Sequence, residues 1–187
     1  MSKVVLVDRD GVINHDKVDS VCSVADFQLI AGADKAIAQM CSLGFQVLVI
    51  TNQACVGRGS TTMETIALIH HKMCAEIKKA GGEIADIFVC PHTPEDLCRC
   101  RKPLPGLIFQ AHAKYHFVFA ETWMVGDAAR DIEAARNAGC RPARVLTGRG
   151  AGSNRKYENV PVFADLLAFS NFLTESNPIS IRSGNYP

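Results

Sequence analysis

The chain has 187 residues, a formal net charge of +1 and 48% hydrophobic residues, which fits one compact domain with a small insert. Charged residues make up 21%, which argues against wholesale disorder, and the near-neutral balance argues against a large sequence-independent nucleic-acid surface, although a phosphate pocket needs only a few placed cations. No apolar stretch approaches the roughly 20 residues that span a bilayer, and the opening Met1 to Asp8 is charged too early for a signal peptide, so a cytoplasmic monomer without membrane or nucleic-acid partner is expected.

Val4 to Val7 is a short apolar run rich in β-branched residues, the pattern of a buried parallel strand, and it ends at Asp8. Residues 32 to 43 carry Ile37, Met40 and Cys41 at helical spacing, and Gly44 stops the helix. Phe45 to Ile50 reads as a second strand, running into Thr51-Asn52-Gln53 and a polar Gly-rich loop through Gly59. Thr61 or Thr62 caps a long helix to Lys79, with Ile66, Ile69, Met73 and Ile77 on one face. Asp86 to Val89 is a third strand, residues 104 to 115 a helix, Thr122 to Val125 a fourth strand and Ala128 to Ala138 a helix. Val145-Leu146 and Val160 to Phe163 read as short final strands and Leu166 to Leu173 as a closing helix. A tail, residues 176 to 187, lacks apolar pattern and is expected to be flexible, leaving 1 to 175 as the single domain. Strict alternation of strand and helix predicts an α/β fold: a Rossmann-like open parallel sheet with helices on both faces. No Gly-x-Gly-x-x-Gly follows the first strand and no Walker pattern occurs, which argues against a dinucleotide or P-loop site.

Five of the eight cysteines, Cys22, Cys41, Cys55, Cys74 and Cys140, are scattered singly and read as small hydrophobes. The other three lie with a histidine in Cys90-x-His92, five residues, then Cys98-x-Cys100. Four soft or borderline ligands within eleven residues match the number and chemistry of tetrahedral zinc. With every position filled by protein, such an ion is structural, and the segment is a zinc-binding loop insert.

Ligands in open parallel sheets bind beyond the carboxyl ends of the strands. The polar residues expected there are Asp8-Arg9-Asp10-Gly11, Thr51-Asn52, Arg101-Lys102, and Asp127 with Asp131. Hydrolysis of a phosphate monoester needs a divalent cation to bridge carboxylate and phosphate, and magnesium prefers the oxygens that Asp8 and Asp127 offer. Asp8 is placed to attack phosphorus, Asp10 to serve as acid and then base, and Lys102 and Thr51 to stabilise the transferring group.

These residues resemble, in order, the four motifs of the haloacid dehalogenase superfamily of phosphatases over about residues 3 to 173. That resemblance implies Asp8 as nucleophile, Asp10 as acid/base, and magnesium held by Asp8, Asp127 and the backbone carbonyl of Asp10. Asp8 to Asn14, Thr51 to Gly59 and the run from Cys90 to Pro103 are more closely similar to the D-glycero-D-manno-heptose 1,7-bisphosphate phosphatase family. This implies removal of the C7 phosphate on the route to nucleotide-activated heptose for lipopolysaccharide, no large cap domain, and a zinc loop that shapes the site. The resemblance further implies a small phosphorylated sugar as substrate, bound among Asp8, Arg9, Asp10, Asp16, Asp19, Thr51, Asn52, Gln53, Ala54, Arg58, Arg101 and Lys102. Arg58 and Arg101 would take the distal end and Lys102 the reacting phosphate.

Histidinol-phosphate phosphatases share a very similar zinc loop, so the loop does not separate the two substrates. The Gly57-Arg58-Gly59 stretch leans toward the heptose family, as does the lack of a dehydratase domain in the 187 residues. A zinc-stabilised binding module without activity is the alternative of a different class, disfavoured because Asp8, Asp10, Thr51, Lys102 and Asp127 all stand. Two departures touch the sugar end. Position 128 is alanine, where the heptose family often places lysine, and Asp16-Lys17-Val18-Asp19 lacks an expected Gly-Tyr. Lys17 is read as a surface lysine, the histidines as solvated or packed, and Arg149 as a loop cation. Asp131 is either half of a surface ion pair with Arg130 or a support for magnesium or Lys102.

Overall fold

The computed structural model describes residues 2–17, 20–151, 157 and 159–176. Six parallel strands form one sheet in the order β3-β2-β1-β4-β5-β6. They are β1 (Val4–Val7), β2 (Gln46–Asn52), β3 (Ile84–Cys90), β4 (Trp123–Gly126), β5 (Arg141–Val145) and β6 (Val162–Phe163). Between and after them lie α1 (Ala33–Ser42), α2 (Ala54–Gly57), α3 (Met63–Lys79), α4 (Gly106–Tyr115), α5 (Ala129–Ala138) and α6 (Leu166–Ser176).

The apolar runs are continuous because each central strand is covered on both sides. Val5, Val7, Val47, Val49 and Val125 pack with α1, α3 and α6 in one cluster. Val4, Leu6, Leu48, Ile50 and Met124 point the other way and pack with α4 and α5. The expected helices on both faces are therefore present. β1 pairs Leu6 with Leu48 of β2 on one side and with Met124 of β4 on the other. The chain order reverses at β1, so the crevice opens beyond β1 and β4.

Several boundaries differ from expectation. Of the two candidate caps, Thr62 accepts a bond from the Thr65 N–H at 3.2 Å and starts α3. The segment after Gln53, expected as loop, contains the helical turn α2. β5 begins at Arg141 and ends at Val145. Its polar residues hid it, but pairing of Arg141 with Trp123 in β4, and the Arg141 guanidinium over the Trp123 ring at 5.8 Å, give those residues a place. β6 is only Val162–Phe163, and α6 runs on to Ser176. The rest of the expected tail, 177–187, lies outside the described residues, as does Asp19. Among the described residues no helix is long and apolar enough to cross a membrane.

Candidate active site

β1 delivers Asp8 to the crevice, and the Asp8 N–H donates to the Val125 carbonyl at 2.9 Å, tying it to β4. Gly11 follows in a left-handed turn with φ of 81°. A Cβ there would meet Asp127 Oδ2 at 2.5 Å, so the turn lets the β1 loop close against the end of β4. Gly126 has the same function on the other side, since a Cβ would meet Asp131 Cβ at 2.1 Å.

Asp8, Asp127 and Asp131 are buried together, with carboxylate oxygens within 4.8 Å of one another. Lys102 enters this cluster from the loop before α4, 2% exposed. Its Nζ lies 2.8 Å from Asp8 Oδ1 and 2.7 Å from Asp131 Oδ1, and donates to the Ile50 carbonyl at 2.7 Å. Asn52 fixes the Lys102 backbone by accepting from its N–H at 3.1 Å and donating to its carbonyl at 3.0 Å. Asp131 also accepts from the Ala128 N–H at 3.0 Å, capping α5. Of the two readings of Asp131, support for Lys102 is the observed one.

Burial, with Asp131 alongside, pushes the Asp8 carboxyl up to about 7 despite Lys102. Burial and Asp131 likewise push Asp127 up to about 6. Burial opposes the charged form of Lys102, but Asp131 and Asp8 outweigh it and hold the amine charged above its ordinary range. Asp127 Oδ1 is buried without a hydrogen-bond partner. A carboxylate cluster with raised proton affinity and an orphaned oxygen is suited to a hard divalent cation, so magnesium fits this donor set.

The Asp10 carboxylate points into a separate buried network. Arg9 grips it with Nη2 at 2.9 Å from both oxygens, Asn14 donates at 2.9 Å and Gln53 at 2.7 Å. Burial raises this group, but Arg9 and the donors outweigh it and leave it below the usual range. His70, on α3, meets Arg9 Nη1 at 3.1 Å. Burial and Arg9 push His70 down to about 4, so it is neutral there and accepts from Arg9. The side chains of Arg9 and Gln53, expected at the substrate, are spent in this network, and Gln53 also donates to the Thr51 hydroxyl at 2.8 Å. The sequence signal for His70 was only its position on the apolar face of α3.

Above the carboxylates lies a cavity of about 410 Å³. Asp10, Asp16, Asn52, Ala54, Arg58 and Arg101 line it; Asp8, Thr51 and Lys102, expected at the same substrate, are not among its lining residues. Arg130 and Arg149 line it as well. The Arg149 N–H donates to Asp127 at 2.7 Å and its Nε to Asp16 at 2.9 Å, so it is more than a loop cation. Lys17 pairs with Asp26 at the surface.

Beside the cavity, the side chains of Cys90, His92, Cys98 and Cys100 converge. Cys100 Sγ is 3.3 Å from Cys90 Sγ, 3.4 Å from Cys98 Sγ and 3.3 Å from His92 Nδ1, and Cys90 to Cys98 is 3.7 Å. Bonds of about 2.3 Å to a tetrahedral ion imply edges of roughly 3.7 Å. These four residues could hold a metal ion. Arg101 Nη1 donates to the His92 carbonyl at 3.1 Å, which links the cluster to the cavity wall.

The HAD-hydrolase-like family model matches residues 99–168. A D-glycero-beta-D-manno-heptose-1,7-bisphosphate 7-phosphatase of Neisseria meningitidis is 40% identical over 180 residues, covering 94% of this chain and 96% of that protein. A D-glycero-alpha-D-manno-heptose-1,7-bisphosphate 7-phosphatase of Photorhabdus laumondii is 33% identical over 178 residues, covering 91% and 96%. The crystal structure of D,D-heptose 1,7-bisphosphate phosphatase from B. bronchiseptica, complexed with magnesium and phosphate, superposes with a TM-score of 0.89 at 37% identity, covering 94% of this chain and 99% of that one. Agreement of this extent, in sequence and in backbone alike, places the chain in the family of D-glycero-D-manno-heptose-1,7-bisphosphate 7-phosphatases.

Proposed function

We infer that this protein is a magnesium-dependent phosphoric monoester hydrolase that removes the C7 phosphate of D-glycero-D-manno-heptose 1,7-bisphosphate through an aspartyl-phosphate on Asp8. The observation that carries this reading is the buried meeting of Asp8, Asp127 and Lys102, with Lys102 Nζ 2.8 Å from Asp8. Asp8 and Asp127, with the Asp10 backbone carbonyl, hold the magnesium. Bound there, the ion offsets charge between carboxylate and phosphate and keeps Asp8 ionised.

Asp8 attacks phosphorus, and the leaving sugar oxygen takes a proton from Asp10. Water then attacks the phosphorylated Asp8, giving its proton to Asp10. The contacts from Arg9, Asn14 and Gln53 hold Asp10 ionised, the state needed for the second step. Acting first as acid requires Asp10 to take up a proton, which release from Arg9 permits. Lys102 and the Thr51 hydroxyl, near the end of β2, stabilise the transferring phosphoryl group. Cys90, His92, Cys98 and Cys100 hold a structural zinc that keeps Arg101 on the cavity wall. Asp16, Asn52, Ala54, Arg58 and Arg101 surround the sugar and its distal phosphate. One chain supplies every one of these groups, consistent with a monomer of one domain.

The decisive assay is release of inorganic phosphate from the α- and β-heptose bisphosphates with magnesium, beside histidinol phosphate. Turnover of a heptose bisphosphate that disappears in Asp8→Asn is expected. Hydrolysis of histidinol phosphate alone, or no turnover of any of the three, would remove the reading.

A further inference from the structure

Arg130 has no role in the chemistry above, yet its surroundings are unusual for an arginine. It is the second residue of α5, half-buried, and lines the cavity over the carboxylates. Its Nε is buried without a hydrogen-bond partner. Among the described residues no carboxylate stands within ion-pair distance of it, although Asp8, Asp127 and Asp131 all act on it through space. The carboxylates outweigh its burial and keep it charged, but the buried Nε has no acceptor, and an anion in the cavity supplies one. The planar guanidinium fork suits phosphate oxygens.

Charge balance points the same way. Three carboxylates converge below the cavity. Lys102 and one divalent ion offset them and leave nothing to offset the charge of an arriving phosphate dianion. A further cation facing the reacting group is therefore required for electrostatic stabilisation. Arg149 is committed to Asp16, whereas Arg130 is uncommitted.

We propose that Arg130 is a substrate-contacting residue that binds the oxygens of the phosphate being transferred. The arrangement lets α5 supply two opposed functions one residue apart, with Asp131 holding Lys102 and Arg130 facing the substrate. This rests on the phosphatase reading of the same site.

The test is calorimetric binding of inorganic phosphate to the magnesium- and zinc-loaded protein, with steady-state kinetics on heptose 1,7-bisphosphate. Wild type should bind phosphate and turn over substrate. In Arg130→Gln, phosphate affinity and kcat/KM should both fall roughly 10- to 100-fold, the scale of a lost charge-assisted hydrogen bond. Magnesium affinity should hold or rise, because a cation beside the ion site has gone. A merely structural arginine would lower Tm and leave phosphate affinity in the folded fraction unchanged. Arg130→Lys keeps the charge and should fall between the two, which covers the case of a Gln variant that does not fold. Phosphate affinity within twofold of wild type in both variants would overturn the proposal. So would unchanged phosphate binding with impaired bisphosphate turnover, which would move Arg130 to the distal phosphate. A wild type that neither binds phosphate nor releases it would overturn the phosphatase reading itself.

Discussion

Replacing Lys102 by methionine keeps the length of the side chain and removes the charge. Nζ serves Asp8, Asp131 and the Ile50 carbonyl at 2.7–2.8 Å, and all of it is buried. Removing one partner of a buried ion pair costs about 3–5 kcal/mol, which for a chain of this size corresponds to a Tm loss of roughly 6–20 °C. The cost should depend on pH. Asp8 already stands at about 7 with the lysine in place, and losing the lysine raises it further. A carboxyl with a higher pKa folded than unfolded gains protons on folding, so the variant recovers stability as pH falls through that value. Urea unfolding of wild type and Lys102→Met in magnesium-free buffer should show the largest gap at pH 8 and a smaller one at pH 5.5. Adding magnesium at pH 8 should narrow the gap by supplying another cation. A variant as stable as wild type at pH 8, or a gap that does not change with pH, would refute the charge-cluster reasoning.

Magnesium affinity, followed by calorimetry, should weaken as pH falls from 8 to 5.5, because the ion displaces protons from Asp8 and Asp127 at about 7 and about 6; an affinity constant across that range would contradict the assignment. Gly11→Ala should abolish phosphatase activity and weaken magnesium binding at least tenfold on the order expected of a displaced ligand, since the added Cβ meets Asp127 Oδ2 and φ is left-handed; wild-type magnesium affinity in a folded variant would count against it. Cys98→Ser should lower zinc content by elemental analysis and lower Tm, because structural zinc is coupled to folding, and unchanged values of both would remove the zinc assignment. Folding stability should also drop between about pH 6.5 and 4 as His70, held near 4 when folded, stays neutral while the unfolded chain takes up a proton; titration of unfolding in wild type against His70→Gln should show a shallower acid slope in the variant.

Much of this protein could be read from residues in order. The strand β1, the Thr62 cap, the Cys90 to Cys100 spacing and the acidic groups at Asp8, Asp10 and Asp127 are local signals. Apolar runs, caps and short ligand spacings depend on near neighbours, and the polar ends of strands mark a crevice in any open parallel sheet. What lay beyond that reading depends on contacts between distant segments. β5 carries two arginines and a proline ahead of Val145, so only its end reads as strand in sequence, and pairing with β4 extends it back to Arg141. Arg9 and Gln53 stand in motifs that suggest substrate contacts, but the fold turns them inward to hold Asp10, with His70 brought from α3. Asp131 could have been a surface partner of Arg130; the approach of the Lys102 loop gave it a buried amine instead and left Arg130 facing the cavity. A carboxylate or guanidinium takes its role from the charges and water around it, and those surroundings exist only once the chain has closed.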